Sequence, residues 1–227
     1  MKKLAISILA SMFLATSTFA GGMTVGVSGG LVQVNADGTE TTTAGDIAGG
    51  TANTNTASAD NVVMIPSVFA EYNSDFMGLT IGLELIPGSA DVSEQAKTRS
   101  ESAQGVSGTD ATGTVTRKAQ AEIENVRTIY AEMPIGSDGF FVKAGYTMFD
   151  LNTLETVPTS SGTYGNTTDV DGYVVGAGVK VDMSPYIIKF GVEMADYDEI
   201  SLTSTTSNKI TADLDTVQAK LSLGYSF

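Results

Sequence analysis

The sequence predicts an all-β fold: an eight-stranded antiparallel transmembrane up-and-down β-barrel, preceded by a cleaved signal peptide. Three observations support this prediction. The first twenty residues read as an export leader, eight later blocks place apolar residues at every second position, and the connections between blocks alternate between short and long. An even number of strands of about ten residues each is what a bacterial membrane barrel requires.

The leader begins with two cations, Lys2 and Lys3, and continues with an apolar run over residues 4–15. Thr18 and Ala20 then place small residues at the −3 and −1 positions of a cleavage site before Gly21. The apolar run is short for a membrane span, so a retained anchor is the less favoured alternative. We therefore expect residues 1–20 to be a signal peptide and residues 21–227 to form the barrel domain.

The composition argues against several classes of function. The 227 residues include 12 Lys and Arg against 26 Asp and Glu, a formal charge of −14, and no Cys, His or Trp. Binding of nucleic acid requires cations that neutralise phosphates, so no nucleic-acid partner is expected. Without His and Cys the chain lacks the commonest general base and metal ligand and the thiolate nucleophile. We predict a protein that is not an enzyme and holds no cofactor or metal.

Eight blocks with a period of two define the predicted strands. In the fifth block, for example, Phe140, Val142 and Ala144 alternate with Phe141 and Lys143. Past residue 20 no apolar stretch reaches 18 residues, so no transmembrane helix is predicted. The blocks cover residues 23–35, 61–73, 77–86, 119–133, 140–150, 172–182, 186–197 and 217–227.

The connections between blocks indicate how the barrel is oriented. Three are short turns, at residues 74–76, 134–139 and 183–185, and the other four are long and rich in Thr, Ser, Asn, Gly and Asp. Short periplasmic turns and long extracellular loops are typical of outer-membrane barrels. Alternation persists over residues 112–116, which predicts a hairpin that protrudes beyond the membrane. The long connections span residues 36–60, 87–118, 151–171 and 198–213.

One face of the predicted strands carries charges that cannot face lipid. A Lys or Arg exposed to lipid at the bilayer midplane costs about 2–4 kcal/mol, so these residues are predicted to point into the lumen. For residues 119–133 two registers compete, and we favour the one that turns Arg127 inward and Val126, Thr128 and Tyr130 outward. The predicted lumen charges, which lean positive, are Glu71, Glu84, Arg127, Lys143, Lys180, Lys189, Glu193 and Lys220.

Aromatic residues fall at the ends of the blocks and predict two belts at the membrane–water interfaces. The belt beside the long loops comprises Phe149, Tyr173 and Tyr197. The belt beside the short turns comprises Tyr72, Phe76, Tyr130, Phe140, Tyr186, Tyr225 and Phe227.

The last block, residues 217–227, ends in an alternating strand with outward Leu221, Leu223, Tyr225 and Phe227. This segment resembles the assembly signal of Gram-negative outer-membrane proteins. The chain from residue 21 onward is similar to the small eight-stranded outer-membrane barrels of the OmpA-domain, OmpX and opacity-protein type. The resemblance implies recognition by periplasmic chaperones and the barrel-assembly machinery during biogenesis, and an outer membrane of lipid and lipopolysaccharide as the surroundings.

The predicted function is a non-enzymatic barrel with a lumen filled by side chains, acting in membrane integrity or in surface interaction through its long extracellular loops. A narrow passive pore for small solutes is the alternative, and a secreted soluble β protein is the alternative fold. The resemblance implies that the enzymes among small outer-membrane barrels use a His in the active site, and this chain has no His. Two acidic clusters, residues 169–172 and 196–199, lack the spacing of a calcium loop and are predicted to be solvated. The sequence indicates no extracellular ligand.

Overall fold

The computed structural model describes residues 22–41, 54–93, 97–102, 114–154, 163–205 and 207–227. These residues form strands joined by turns, because blocks of alternating side chains present one face to lipid and the other to the interior. The strands are Gly22–Thr41 (β1), Thr54–Asn73 (β2), Thr80–Asp91 (β3), Lys97–Ser102 (β4), Thr114–Ala119 (β5), Ala121–Ile135 (β6), Phe140–Thr153 (β7), Thr167–Met183 (β8), Tyr186–Tyr197 (β9), Ile200–Thr203 (β10) and Lys209–Ser226 (β11).

Eight of these strands close into a ring. Their order is β1, β2, β3, β6, β7, β8, β9 and β11, all neighbours are antiparallel, and β11 pairs back onto β1 from Thr24–Ser226 to Thr41–Lys209. The short β10 pairs with the start of β11 beyond the end of β9. The predicted eight-stranded antiparallel barrel is therefore confirmed.

The barrel strands reach further than the hydrophobic pattern predicts. β1 stays paired with both β2 and β11 as far as Thr41, so the described part of the predicted loop 36–60 continues the sheet. The predicted loop 87–118 contains β4 and β5, which pair with each other and form the predicted protruding hairpin. Strands with Thr, Asn and Asp side chains can stay paired in water without an apolar residue at every second position. The predicted strands therefore end earlier than the observed ones. The predicted signal peptide and its junction at residue 21 lie outside the described residues.

The outward face of the ring is apolar. Among the described residues no helix is long and apolar enough to cross a membrane. An apolar outer band is what a closed ring of strands presents to lipid. The chain therefore has the fold of a transmembrane β-barrel. Its exposed apolar side chains include Val27, Leu31, Val62, Met64, Ile81, Ile129, Val142, Val175, Phe190, Val192, Met194, Leu221 and Leu223.

The register favoured for the fourth block is wrong. In β6 the side chains of Thr128, Tyr130 and Glu132 are buried inside the barrel, and Ile129 is exposed on the outside. The register shifts between Glu124 and Arg127, where Asn125 adopts a left-handed backbone conformation with φ 54°. This bulge reverses the parity of the residues before it. From Val126 onward the parity is continuous, so the wrong register came from turning Arg127 inward.

Candidate functional site

The interior of the barrel is divided into two halves of different chemistry. We call the half next to the short turns the periplasmic half and the half next to the long connections the extracellular half, after the orientation that the sequence predicts. Charged and hydroxyl side chains fill the periplasmic half, and aliphatic and aromatic side chains fill the extracellular half.

Four side chains in the periplasmic half form a closed ring of alternating charge, which we call the charge ring. The Lys143 Nζ lies 2.9 Å from Glu193 Oε1 and 3.4 Å from Glu84 Oε2. The Lys220 Nζ lies 2.7 Å from Glu84 Oε2 and 2.8 Å from Glu193 Oε1, which completes the cycle. The four residues come from β7, β9, β11 and β3, so the charge ring joins strands from different sides of the barrel.

A second group lies beside the charge ring. The ammonium of Lys189 contacts both oxygens of Glu132, at 2.9 and 3.0 Å, and also forms an ion pair with Glu71. The Tyr130 hydroxyl donates a hydrogen bond of 2.6 Å to Glu71 Oε1. The Ser67 hydroxyl donates a bond of 2.6 Å to Glu84 Oε1. We refer to the charge ring together with Lys189, Glu71 and Glu132 as the charge network.

Aromatic faces complete the surroundings of the two central ammonium groups. The Lys143 Nζ lies 4.0 Å from the centroid of the Tyr130 ring, and the Lys189 Nζ lies 5.1 Å from Phe69 and 5.7 Å from Phe141. These distances are those of cation–π contacts. The free space left among these side chains is about 10 Å³, which is at the lower limit for one water molecule. The periplasmic half is therefore tightly filled.

The structure brings together six of the eight predicted lumen charges: Glu71, Glu84, Lys143, Lys189, Glu193 and Lys220 all belong to the charge network. Lys180 has the predicted inward parity but lies at the periplasmic mouth, where its nearest partner is Asp182 at 3.7 Å. Arg127 is not a lumen residue. Its side chain is 36% exposed on the outward face of β6 and forms an ion pair with Asp169.

Two members of the site were missed by reasoning from the sequence. Glu132 and Tyr130 lie on β6, where the favoured register turned them away from the lumen. A signal for the correct register existed, because Ile129 and Met133 are apolar and share the parity opposite to Tyr130 and Glu132. With Glu132 included, the network holds three lysines and four glutamates. The prediction that the charges of the lumen are mainly positive is therefore wrong.

Arg127 instead belongs to a polar cluster on the outward face of the barrel. Asn125 Nδ2 donates to Asp150 Oδ2 at 2.8 Å, and the backbone N–H of Asp169 donates to Asp150 Oδ1 at 3.1 Å. These two hydrogen bonds hold the pKa of the Asp150 carboxyl below its ordinary value, because they stabilise the ionised form. Asp169, like Asn125, has a left-handed backbone, with φ 56°. The cluster shapes the outer surface at the level where the apolar side chains of β7 end.

The extracellular half is a hydrophobic core. Phe149 is fully buried and meets Tyr197 edge-to-face, with ring centroids 4.9 Å apart. Phe149 and Tyr197 therefore do not belong to an outer aromatic belt, and neither does Tyr130 in the lumen; these three predictions are wrong. The other buried members of this core are Val32, Val34, Val92, Ile123, Leu151, Val170, Ile200 and Leu214.

A cavity of about 400 Å³, which we call the chamber, adjoins this core. Its inner wall includes Val32, Val34, Val63, Ile65 and Ile123, with Tyr197 and Gln218 on the far side. A smaller cavity of about 40 Å³ continues from the chamber down to Glu84 and Glu193 of the charge ring. The chamber volume lies in the range of small-molecule binding sites.

The predicted assembly-signal residues lie on the outside of β11. Leu221, Leu223, Tyr225 and Phe227 are all exposed, and the Tyr225 ring meets Tyr186 and Phe227 edge-to-face at the periplasmic end. Within the described parts of the chain, no three acidic side chains converge on a point where a metal ion would fit.

No protein-family model matches the chain, and no curated protein matches it. Solved structures do resemble it. OprG, an outer membrane protein of Pseudomonas aeruginosa, is 16% identical with a TM-score of 0.45, over 92% of this chain and 96% of OprG. The attachment invasion locus protein Ail of Yersinia pestis, solved with the heparin analogue sucrose octasulfate, is 10% identical with a TM-score of 0.38, over 90% and 99%. The outer membrane protease OmpT of Escherichia coli is 9% identical with a TM-score of 0.45, over 94% and 100%.

Proposed function

We propose that this protein is a non-enzymatic outer-membrane barrel whose lumen is closed by the charge network, and that it acts in membrane integrity or in surface interaction through its extracellular extensions. The observation that carries the proposal is the charge ring, which links β3, β7, β9 and β11 across the interior and leaves about 10 Å³ of free space. An eight-stranded barrel is narrow enough for side chains to fill it.

The energetics of buried charge support a closed lumen. A conducting path along the axis would require Lys143, Lys220, Glu84 and Glu193 to exchange their partners for water and ions. Each of these side chains is almost fully buried and contacts two oppositely charged groups. Separating such pairs leaves uncompensated charges in a low-dielectric interior, which is strongly unfavourable. The same contacts that fill the lumen therefore hold it shut.

The chemistry of the interior supports a role without catalysis. General base catalysis needs a side chain within hydrogen-bond reach of a substrate, and the carboxylates of the charge network already contact lysines, Tyr130 or Ser67. The sequence contains neither His nor Cys. The space among the side chains of the charge network is too small for a substrate.

The extracellular extensions support a role at the cell surface. The β1–β2 ladder continues past the apolar outer band to Thr41 and Thr54, and the β4–β5 hairpin adds a second projection. Loops and projections carried on a rigid scaffold are where binding residues concentrate. Outer-membrane lipid and lipopolysaccharide surround such a barrel. We propose that Leu221, Leu223, Tyr225 and Phe227 form the signal read by periplasmic chaperones and the barrel-assembly machinery.

Recordings in planar bilayers test the closed lumen. We expect the refolded wild-type protein to give no stable conductance steps, because no aqueous path crosses the charge ring. The paired variant Glu84→Ser/Lys220→Ser removes one cation and one anion and leaves room for water, so it should admit small ions. Heat-modifiable gel migration verifies folding of both proteins. Reproducible steps from the wild-type barrel would instead favour the narrow passive pore.

A further inference from the structure

We propose that the chamber binds one acyl chain of a membrane lipid, which enters sideways through an opening in the barrel wall between β2 and β3. We call this opening the window. The proposal concerns the extracellular half of the barrel and does not depend on whether the charge ring conducts ions.

The window is a gap in the ladder between two neighbouring strands. β2 and β3 pair only from Asn73–Thr80 to Val68–Leu85. Both strands continue, β2 back to Thr54 and β3 on to Asp91, and every residue of the two facing edges is described, yet pairing between them does not resume. At the top of the gap the Asn61 Nδ2 donates to the Asp91 carbonyl oxygen at 2.9 Å. The Val68–Leu85 pair therefore bounds the window on the side of the short turns, and the Asn61–Asp91 hydrogen bond bounds it on the opposite side.

The sequence builds this gap with two prolines. Continuing the β2–β3 register two residues beyond Val68–Leu85 would place Pro66 directly opposite Pro87. Neither has an N–H group, so a ladder hydrogen bond cannot form from either side of this step. β3 then bulges between Ile86 and Ser89, where Gly88 has φ 99°, a conformation that favours glycine. The prolines stop the pairing and the bulge turns β3 away from β2.

The chamber passes through the wall at this gap. Its lining includes the outward residues Met64 and Pro66 as well as the inward residues Val63 and Ile65 of the same strand. Because the cavity is lined by residues from both faces of β2, it passes around the free edge of this strand. On β3 the chamber is lined by the residues that lack a partner in β2, namely Ile86, Pro87, Gly88, Ser89, Ala90 and Asp91.

The position of the window identifies lipid as the source of the ligand. Met64 is 79% exposed and Val62 is 65% exposed on the outer face beside the gap. From Asn73 at the short-turn end to Met64 the strand rises about 23 Å, taking ~3.3 Å per residue and a tilt of ~40°. An outer apolar band about 25 Å tall places Met64 in the outer leaflet. The hydrocarbon there borders an apolar chamber, while the polar Asn61–Asp91 pair lies above it, towards the headgroups.

The absence of Trp from the sequence allows a clean optical test. Tyr197→Trp places a single reporter on the chamber wall across from the window. Phe141→Trp places a matched reporter inside the tightly filled periplasmic half. Both proteins are reconstituted in phosphatidylcholine vesicles whose acyl chains carry bromine, a contact quencher of Trp emission. We expect a large loss of Y197W emission and little change for F141W, because only the first reporter meets a lipid chain.

Closing the window supplies the decisive comparison. Pro66→Val/Pro87→Val restores an N–H on each edge, so in the Y197W background quenching should fall to the level of F141W. A second variant, Val32→Phe, fills the chamber from β1 and should lower quenching even if the proline variant fails to fold. Equal quenching of Y197W and F141W, or quenching that survives both changes, would overturn the proposal. Quenching of Y197W by soluble acrylamide but not by brominated lipid would also overturn it, because the chamber would then hold water.

Discussion

The two halves of the barrel interior are filled by side chains of different chemistry, and they differ in how tightly they are filled. In the periplasmic half, three lysines and four glutamates leave about 10 Å³ of free space. In the extracellular half, aliphatic and aromatic residues leave a chamber of about 400 Å³ and an unpaired stretch of wall. The same eight strands therefore enclose a tight region and a loose region within one continuous sheet.

The difference follows from how each kind of side chain finds its neighbours. Lysine and glutamate are long and their ion pairs are directional, so they reach across the lumen and hold opposite strands at fixed distances. Branched aliphatic side chains such as Val32 and Val34 are short and their contacts are non-directional. They pack into a cluster that leaves the chamber open beside it. Charge pairing closes a narrow barrel where apolar residues of this size do not.

The largest expected effect comes from breaking the charge ring. Glu84→Ala leaves Lys143 and Lys220 without one of their two carboxylate partners and removes the acceptor of the Ser67 hydroxyl. Removing one member of a buried ion pair costs about 3–5 kcal/mol. The free energy of unfolding in urea, measured for the barrel in lipid vesicles, should fall by that amount.

Lys180→Ala is the matched control for this change. It also removes one charge of predicted lumen parity, but from a partly exposed pair at 3.7 Å. We expect its cost to stay below about 1 kcal/mol. Similar costs for the two variants would show that the charge ring contributes no more than a surface ion pair.

A middle-sized effect is expected from adding one methyl group to the tight half. Gly82 on β3 faces Tyr130 on β6, and a Cβ at Gly82 would overlap the Tyr130 ring. Gly82→Ala should lower the free energy of unfolding by about 1–3 kcal/mol, because Tyr130 also contacts Glu71 and Lys143 and has no room to move. Gly29→Ala, at an outward position with nothing within 4 Å of the added carbon, should leave it almost unchanged. A harmless Gly82→Ala would show that the periplasmic half is less rigid than described.

The smallest effect is expected from adding a methylene to the loose half. Val63 lines the chamber, so Val63→Ile places new carbon in free space instead of against a neighbour. The free energy of unfolding should stay the same or rise by up to about 0.8 kcal/mol, the value of one buried methylene. The change in the free energy of unfolding should therefore be zero or opposite in sign to that of Gly82→Ala in the same urea titration. A clear loss of stability would mean that this part of the barrel is as full as the other.

The sequence predicts the barrel and most of the charge network because both depend on parity alone. Residues such as Lys143, Lys189 and Lys220 alternate with apolar neighbours, so the cost of facing lipid assigns them to the lumen. Glu84 and Glu193 follow from the same count. No partner has to be known to place any of them. The structure brings Lys143, Lys220, Glu84 and Glu193 into direct contact and pairs Lys189 with Glu71 and Glu132 beside them.

What the sequence could not supply depends on register and on long-range position. Arg127 was predicted inside because a lipid-facing arginine is costly, but it pairs with Asp169 on the outer surface. The register chosen to turn Arg127 inward turned Glu132 away from the lumen. The opposed prolines of the window become visible only when the β2–β3 register is known. The apolar filling of the extracellular half has the same origin, because Val34 and Leu214 are recognised as neighbours only after β11 is placed beside β1.

The charge ring also has a consequence for the order of assembly. Glu84 and Lys220 are separated by 136 positions in the chain, and Lys220 lies on the last strand. Until β11 pairs with both β1 and β9, Glu84 and Glu193 lack that cation, and two buried carboxylates share Lys143 alone. The network therefore stabilises the closed barrel far more than any open sheet that precedes it. Changes in the charge ring should act mainly on the rate at which a finished barrel reopens, since these contacts form after most of the sheet is in place.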